Sequence, residues 1–237
     1  MRIPFRFRWI PLIAMIIAVA TGTLLGNWQM RRAEQKEAVE QKLNARGAAP
    51  PIVLGSTDLS VDEVEYRRVI AEGDFVRDWP VYLENRPYNG TPGFYLLMPL
   101  KVSGSDRHVL VARGWFPRDP ADRTKLPAID TPNGAIRIEG VARRNPGQLL
   151  QLGEAVELRP GAIVQNLSVE EFGKASGFTM HAFVIEQNGA ATDNLVRDWP
   201  HPSSGIDKHL GYAFQWYALA AAAFIFFVVT GFRRGNR

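Results

Sequence analysis

The fold class predicted is an α+β membrane protein: two transmembrane helices flank a mostly antiparallel β domain, barrel- or sandwich-like and extracytoplasmic, that carries one short helix. Three observations predict it. Two long apolar blocks without a charged side chain lie near the two ends of the 237-residue chain, arginines without acids stand outside both blocks, and short β-rich runs separated by turn residues fill the middle.

The elements follow in chain order. Residues 1–8 form a cytoplasmic tail with Arg2, Arg6 and Arg8, and residues 9–28, WIPLIAMIIAVATGTLLGNW, form the first span. About 20 such residues cross roughly 30 Å of hydrocarbon, and a buried soluble helix rarely needs every face apolar. Ala18-Val19-Ala20 also fits a signal-peptide cleavage site, but hydrophobicity continues through Leu24 and Leu25 to Trp28, beyond what a removed peptide needs. A mature chain starting at Thr21 would decide for cleavage.

Residues 29–210 form the outer domain. It opens with a polar helical stalk, residues 29–46, rich in good helix formers and ended by Gly47 and the Pro50-Pro51 pair. Strands are predicted at Tyr66–Val76, Val81–Asn85, Phe94–Val102, His108–Phe116, Ile136–Arg143, Ala162–Gln165 and Phe178–Gln187, with Gly, Pro, Asn and Asp between them. The single helix starts at Ser168-Val169-Glu170-Glu171, a Ser-x-x-Glu capping box in which each end residue satisfies a backbone N–H of the other. Pro117 to Asn133 and Gly189 to Lys208 read as long loops, and Arg-Asp-Trp-Pro at Arg77–Pro80 and again at Arg197–Pro200 reads as coincidence, because the flanks do not match. Residues 211–232 form the second span and residues 233–237, with Arg233, Arg234 and Arg237, the second cytoplasmic tail.

The formal charge of +4 belongs to the tails. Without their six arginines, 22 basic residues face 24 acidic ones in the middle. Arginine clusters at membrane-flanking tails favour the cytoplasmic side, so both termini are expected inside and the domain outside. A nucleic-acid partner is not expected, because the folded part has no basic patch. There is no cysteine, which excludes disulfides, thiolate copper carriers, C-x-x-C-H haem attachment and thiol catalysis. The histidines are His108, His181, His201 and His209, and no pair has the spacing of a closed metal site. His108 and His181 fall in predicted strands, where they face solvent or sit satisfied in the core.

Small residues mark the spans: Gly22-x-x-x-Gly26 in the first, Ala218 and Ala220 to Ala223 in the second. They let helix backbones approach closely, either on each other or on another membrane protein. Tyr212, Trp216, Tyr217 and Trp28 supply aromatic belts. His209, Tyr212, Ala213 and Trp216, at i, i+3, i+4 and i+7, share one face at the water boundary. Imidazole there serves either as an axial ligand to haem iron, with aromatics and a small alanine beside the macrocycle, or as an interfacial anchor. No catalytic set is legible: a Gly-x-Ser-x-Gly elbow and a phosphate-cradling loop are both missing, and Glu65, Asp74, Glu84 and Asp119 read as surface acids, so an enzyme is not expected.

Several strings resemble one family together. Gly26-Asn27-Trp28-Gln29-Met30-Arg31-Arg32 resembles the Gly-x-Trp-Gln-x-x-Arg signature of the Surfeit locus protein 1 family. Tyr66-Arg67-Arg68-Val69 with Gly73-Asp74-Phe75 is similar to its opening strand, Arg86 through Pro99 to its Gly-containing hairpin, and Val109 through Pro117, VLVARGWFP, to its most specific segment. Lys208 through Trp216 resembles its His-Leu-x-Tyr-x-x-Gln-Trp start of the second span. The resemblance covers the chain from Gly26 to Trp216. It implies an assembly factor for haem-copper cytochrome c oxidase in respiratory-chain biogenesis. Such a factor would partner oxidase subunits, the haem-bearing catalytic subunit above all, and aid delivery of haem a, or else act as a scaffold without haem. It also implies His209 as the cofactor-binding residue and ligand to the haem iron. The short arginine-rich start suits a bacterial inner-membrane protein with its domain in the periplasm better than a mitochondrial precursor.

Overall fold

A computed structural model describes residues 8–122, 124–149, 156–189, 193–200 and 205–233. In chain order its elements are α1 (Trp9–Ala48), β1 (Ile52–Val53), α2 (Val61–Val64), β2 (Arg68–Phe75), β3 (Val81–Leu83), β4 (Gly93–Val102), β5 (His108–Pro117), β6 (Ile136–Arg143), β7 (Ile163–Val164), α3 (Val169–Ser176), β8 (Met180–Gln187) and α4 (Ile206–Arg233). Helix α1 as far as Lys42 forms one compact unit with α4, and Leu43–Pro200 forms a second. The arginines at 2, 6, 234 and 237, and His201, lie outside the described residues.

Both α1 and α4 are long and apolar enough to cross a membrane. The predicted span and stalk are a single 40-residue helix. Gly47 lies inside it and does not end it, because one glycine costs a helix only about 1 kcal/mol. The stop comes at Ala48, just before Pro50 restricts its neighbour to extended backbone. Helix α4 starts at Ile206, so His209 lies on it as the shared face with Tyr212, Ala213 and Trp216 requires. The loop expected to run to Lys208 stops short of Ile206, and Asp207 in the first turn suits the positive end of the helix dipole.

Along α1 the less exposed residues include Leu12, Met15, Val19, Gly22, Gly26, Gln29 and Ala33, and along α4 Ile206, His209, Ala213, Trp216, Ala220, Ala223 and Phe227. Both series step by three and four residues, the seven-residue period that keeps one stripe of a helix on its partner. The glycines of the Gly-x-x-x-Gly pair face α4 directly: a Cβ on Gly22 would stand 2.8 Å from the Trp216 carbonyl oxygen, and one on Gly26 2.5 Å from the Tyr217 ring. Of the two packing arrangements left open by the sequence, α1 and α4 adopt the one in which they pack on each other.

In the second unit, β2, β6, β8, β5 and β4 pair in that order, and β4 returns to pair with β2, closing a five-stranded barrel. Strands β1, β3 and β7 attach to it at the margins. All ring pairings are antiparallel except β5 with β8. Alternation along the strands sends one set of side chains inward, among them Val69, Phe94, Leu100, Val109, Phe183 and Ile185. The other set, including Leu97, Leu110 and Val184, packs outside the ring with Phe172 of α3 and Trp199. Trp79 also packs there, so the two Arg-Asp-Trp-Pro strings bring their tryptophans to one cluster.

The expectation of one short helix is corrected to two. Helix α3 has the predicted box, Ser168 Oγ accepting from the Glu171 N–H at 3.1 Å and the Glu171 carboxylate from the Ser168 N–H at 2.9 Å. Helix α2 carries the same signal in Ser60 and Glu63, whose carboxylate accepts from the Ser60 N–H at 3.1 Å. Four residues are too few to show a helical period. Strand β1, two residues long, was equally invisible.

Candidate functional site

The site begins where Gly26 lets α1 approach α4. One residue on, Asn27 Oδ1 accepts the Tyr217 hydroxyl at 2.7 Å, and Gln29 Oε1 stands 2.7 Å from His209 Nδ1. These two bonds join residues about 180 to 190 apart in sequence, and each uses a polar side chain at the apolar-to-polar transition of its helix. The imidazole is half-buried and sits on the seam facing α1. Among the described residues, no hydrogen bond reaches its Nε2.

The face predicted around His209 is divided by this packing. Ala213 is 1% exposed and belongs to the seam, so it offers no floor for a flat macrocycle, whereas Tyr212 is 53% exposed and faces away. Trp216 is half-buried. Gln29 and Asn27, missed as functional candidates, had one signal: polar residues following a small-residue pair, with Gln29 seven residues after Gly22.

The strings most specific in sequence serve the barrel itself. Arg113 is the extra residue of a bulge in β5, since Leu96 faces Gly114 and Leu97 faces Ala112. Arg113 follows Val109 and Val111 on the inward face, its guanidinium 4.9 Å over the Phe75 ring, and the bulge resets the alternation after it so that Phe116 also packs inside. Arg113 donates to Asp193 Oδ2 at 2.8 Å, to the Asp130 carbonyl at 2.8 Å and to Thr131 Oγ1 at 2.6 Å. Arg197 donates to the same Asp193 oxygen at 2.7 Å and to the Arg113 carbonyl at 2.8 Å. The triad thus pins two long loops to the barrel. Burial lowers the Arg113 pKa despite Asp193. Gly114 has φ +155° and no room for a Cβ, which would lie 2.7 Å from that of Leu195. Trp115 Nε1 donates to the Arg86 carbonyl at 2.6 Å, and Arg86 spans to the carbonyls of Gly147 and Gln165.

His181 departs from expectation. It is fully buried on the inner face of β8, and neither ring nitrogen has a partner among the described residues. Burial lowers its pKa, as does Arg107. His108 stacks on Phe178 at 4.5 Å. Glu186 on the outer face of β8 is pushed up to about 7 by burial, with Arg143 at 3.6 Å acting against the shift. Of the acids singled out in sequence, Asp119 is held by Lys125 at 3.1 Å and Glu65 lies 3.5 Å from Arg144. Among the described residues no three His, Asp or Glu side chains gather as a metal site. A largely apolar cavity of about 590 Å³ opens between Phe116, Leu126, Ile129 and Leu195, and a more polar one of about 740 Å³ lies at the β4–β5 turn.

A profile of the SURF1 family matches residues 16–221. The chain is 27% identical to a SURF1-like protein of Rickettsia bellii over 227 residues, 91% of this chain and 87% of that one. It is 24% identical to a SURF1-like protein of Monosiga brevicollis, covering 90% of this chain and 84% of the relative. It is 31% identical over 94 residues to the cytochrome oxidase assembly protein SHY1 of Saccharomyces cerevisiae, 39% of this chain and 24% of the yeast protein.

Proposed function

The chain belongs to the SURF1 family, and on that premise we propose that it is an assembly factor for cytochrome oxidase that holds haem a through His209 and aids its delivery to the catalytic subunit. The name of the yeast relative supports the assembly role. The observation that carries the haem reading is the half-buried imidazole at the end of the helix seam, one ring nitrogen hydrogen-bonded and the other without a hydrogen bond among the described residues. His209 would hold the haem iron, because a neutral imidazole coordinates through one bare nitrogen. Haem, when bound, would supply an iron able to take up this lone pair. The chain's own residues hold the ring at the end of the helix seam, Gln29 through its contact with Nδ1.

The reading places α1 and α4 across the inner membrane as its two spans, both arginine-bearing ends in the cytoplasm and the barrel in the periplasm. A reporter fused near Gly90 is expected to be active only outside the cytoplasm. Cells lacking the protein are expected to keep oxidase polypeptides and to incorporate less haem a.

A second reading has its own observation. The His209–Gln29 bond joins the two helices, which an imidazole does without any cofactor, so a haem-free scaffold for an oxidase intermediate also accounts for it. Purification in mild detergent from cells making haem a separates the two. Haem absorbance in the wild type and its loss in His209→Ala support delivery, whereas a haem-free protein and full oxidase activity in His209→Ala cells support the scaffold.

A further inference from the structure

We propose that Gln29 is the positioning residue of the His209 site: from the neighbouring helix its side-chain oxygen holds the imidazole as the Nδ1–H tautomer and presents Nε2 as the coordinating atom. The purpose assigned to Gln29 rests on the reading of His209 as a haem ligand. The tautomer follows from the Gln29 amide oxygen, not its nitrogen, facing Nδ1.

The Gln29 atom 2.7 Å from His209 Nδ1 is the amide oxygen, which carries no hydrogen. The proton of that bond is therefore on Nδ1, and a neutral ring has no second one, so Nε2 carries a bare lone pair. Two features keep the glutamine there. Gly26, three residues earlier, brings α1 so close that a Cβ would strike the Tyr217 ring, and the Asn27–Tyr217 bond holds the register of the two helices. A long side chain that would otherwise lose much rotamer freedom is thus delivered to its partner by the backbone.

The chemistry of the donor pair adds a consequence. Ligating histidines commonly give their second N–H to an oxygen, which fixes the ring and raises its basicity. A carboxylate does so more strongly, but an ionised carboxylate is costly where a helix enters the membrane. A neutral amide orients the ring and leaves it a ligand of intermediate strength, which suits a protein that must release its haem.

The test uses the full-length protein in lipid nanodiscs with ¹⁵N-labelled histidine, the His209 signals being those lost in His209→Ala. The wild type is expected to show protonated Nδ1 and bare Nε2, Gln29→Leu to shift the proton toward Nε2, and Gln29→Glu to keep it on Nδ1. In titrations with haem a, Gln29→Leu is expected to bind about 10–100-fold more weakly. Gln29→Glu is expected to bind at least as tightly as the wild type and to give a lower iron reduction potential, a readout that a merely structural glutamine does not move. A wild-type ring protonated on Nε2, or a Gln29→Leu variant with unchanged tautomer, affinity and potential, overturns the proposal while leaving His209 as ligand intact. Equal haem binding by wild type and His209→Ala defeats the ligand reading instead, and with it the positioning role, even where the tautomer is as stated.

Discussion

At Asp193 in the barrel and at His209 in the helix pair, a polar side chain is held by residues far away in sequence, yet the two are finished differently. Asp193 is 7% exposed at its side chain and pairs with two arginines, and both terminal nitrogens of Arg113 are taken up. Charge and hydrogen bonds are spent on closing loops over a core. His209 has, among the described residues, a hydrogen bond at Nδ1 and none at Nε2. The difference teaches that a specific string need not mark chemistry: the Val-Ala-Arg-Gly-Trp segment is accounted for by folding, whereas the helix pair leaves a donor atom over.

The largest expected effect breaks the first side of the comparison. Asp193→Ala leaves two arginines without their counter-charge in a buried setting, which costs about 3–5 kcal/mol when one partner of a buried pair is removed. Thermal unfolding of the detergent-solubilised chain is expected to fall by roughly 10 °C, and an unchanged midpoint would show the triad to be solvated.

The next prediction breaks the second side. Gly26→Val drives an isopropyl group against the Tyr217 ring, overpacking that costs about 1–3 kcal/mol at the helix seam. Thermal unfolding of the detergent-solubilised chain is expected to begin a few degrees lower in Gly26→Val, and an unchanged midpoint would show that α4 shifts to make room.

Two smaller effects sharpen the contrast inside the barrel, where titratable groups on opposite faces of β8 oppose each other. His181 has its folded pKa lowered by burial, so the unfolded chain takes up the proton first and stability falls as pH drops below the ordinary histidine value of about 6.5. His181→Leu removes two unpartnered nitrogens and is expected to gain about 1–3 kcal/mol, most visibly near pH 5. Glu186 has its pKa raised, so the folded chain holds the proton longer and stability falls as pH rises from the ordinary carboxylate range through about 7. Glu186→Gln is expected to flatten that decline, with an advantage of about 1 kcal/mol at pH 8 because Arg143 already offsets part of the penalty. Melting curves across pH 5 to 8 check both, and an unshifted profile in either variant removes that group from the account.

Much of the fold was legible because its signals are local. The uncharged runs gave both long helices, alternation with turn residues gave β2 to β8, and the Ser168–Glu171 box gave α3. What escaped was too short to have a period, as with β1 and α2, or depended on a neighbour, as with the extension of α4 past a charged residue. At the candidate site, His209 stood out in the sequence as a histidine beside an apolar block. Its partner was not, because a glutamine just beyond an apolar run looks like the first solvated position of a stalk.

By itself the sequence determined which segments are apolar all round, where strands alternate, and that no thiol chemistry is present, since each depends on side chains within a few residues of one another. Only the tertiary structure decided that the barrel closes through β2 and β4, that the inward charge of Arg113 meets Asp193, and that Gln29 meets His209. Those outcomes join residues tens to nearly two hundred positions apart, and the backbone approach that permits them, at Gly26 above all, is a property of two helices together.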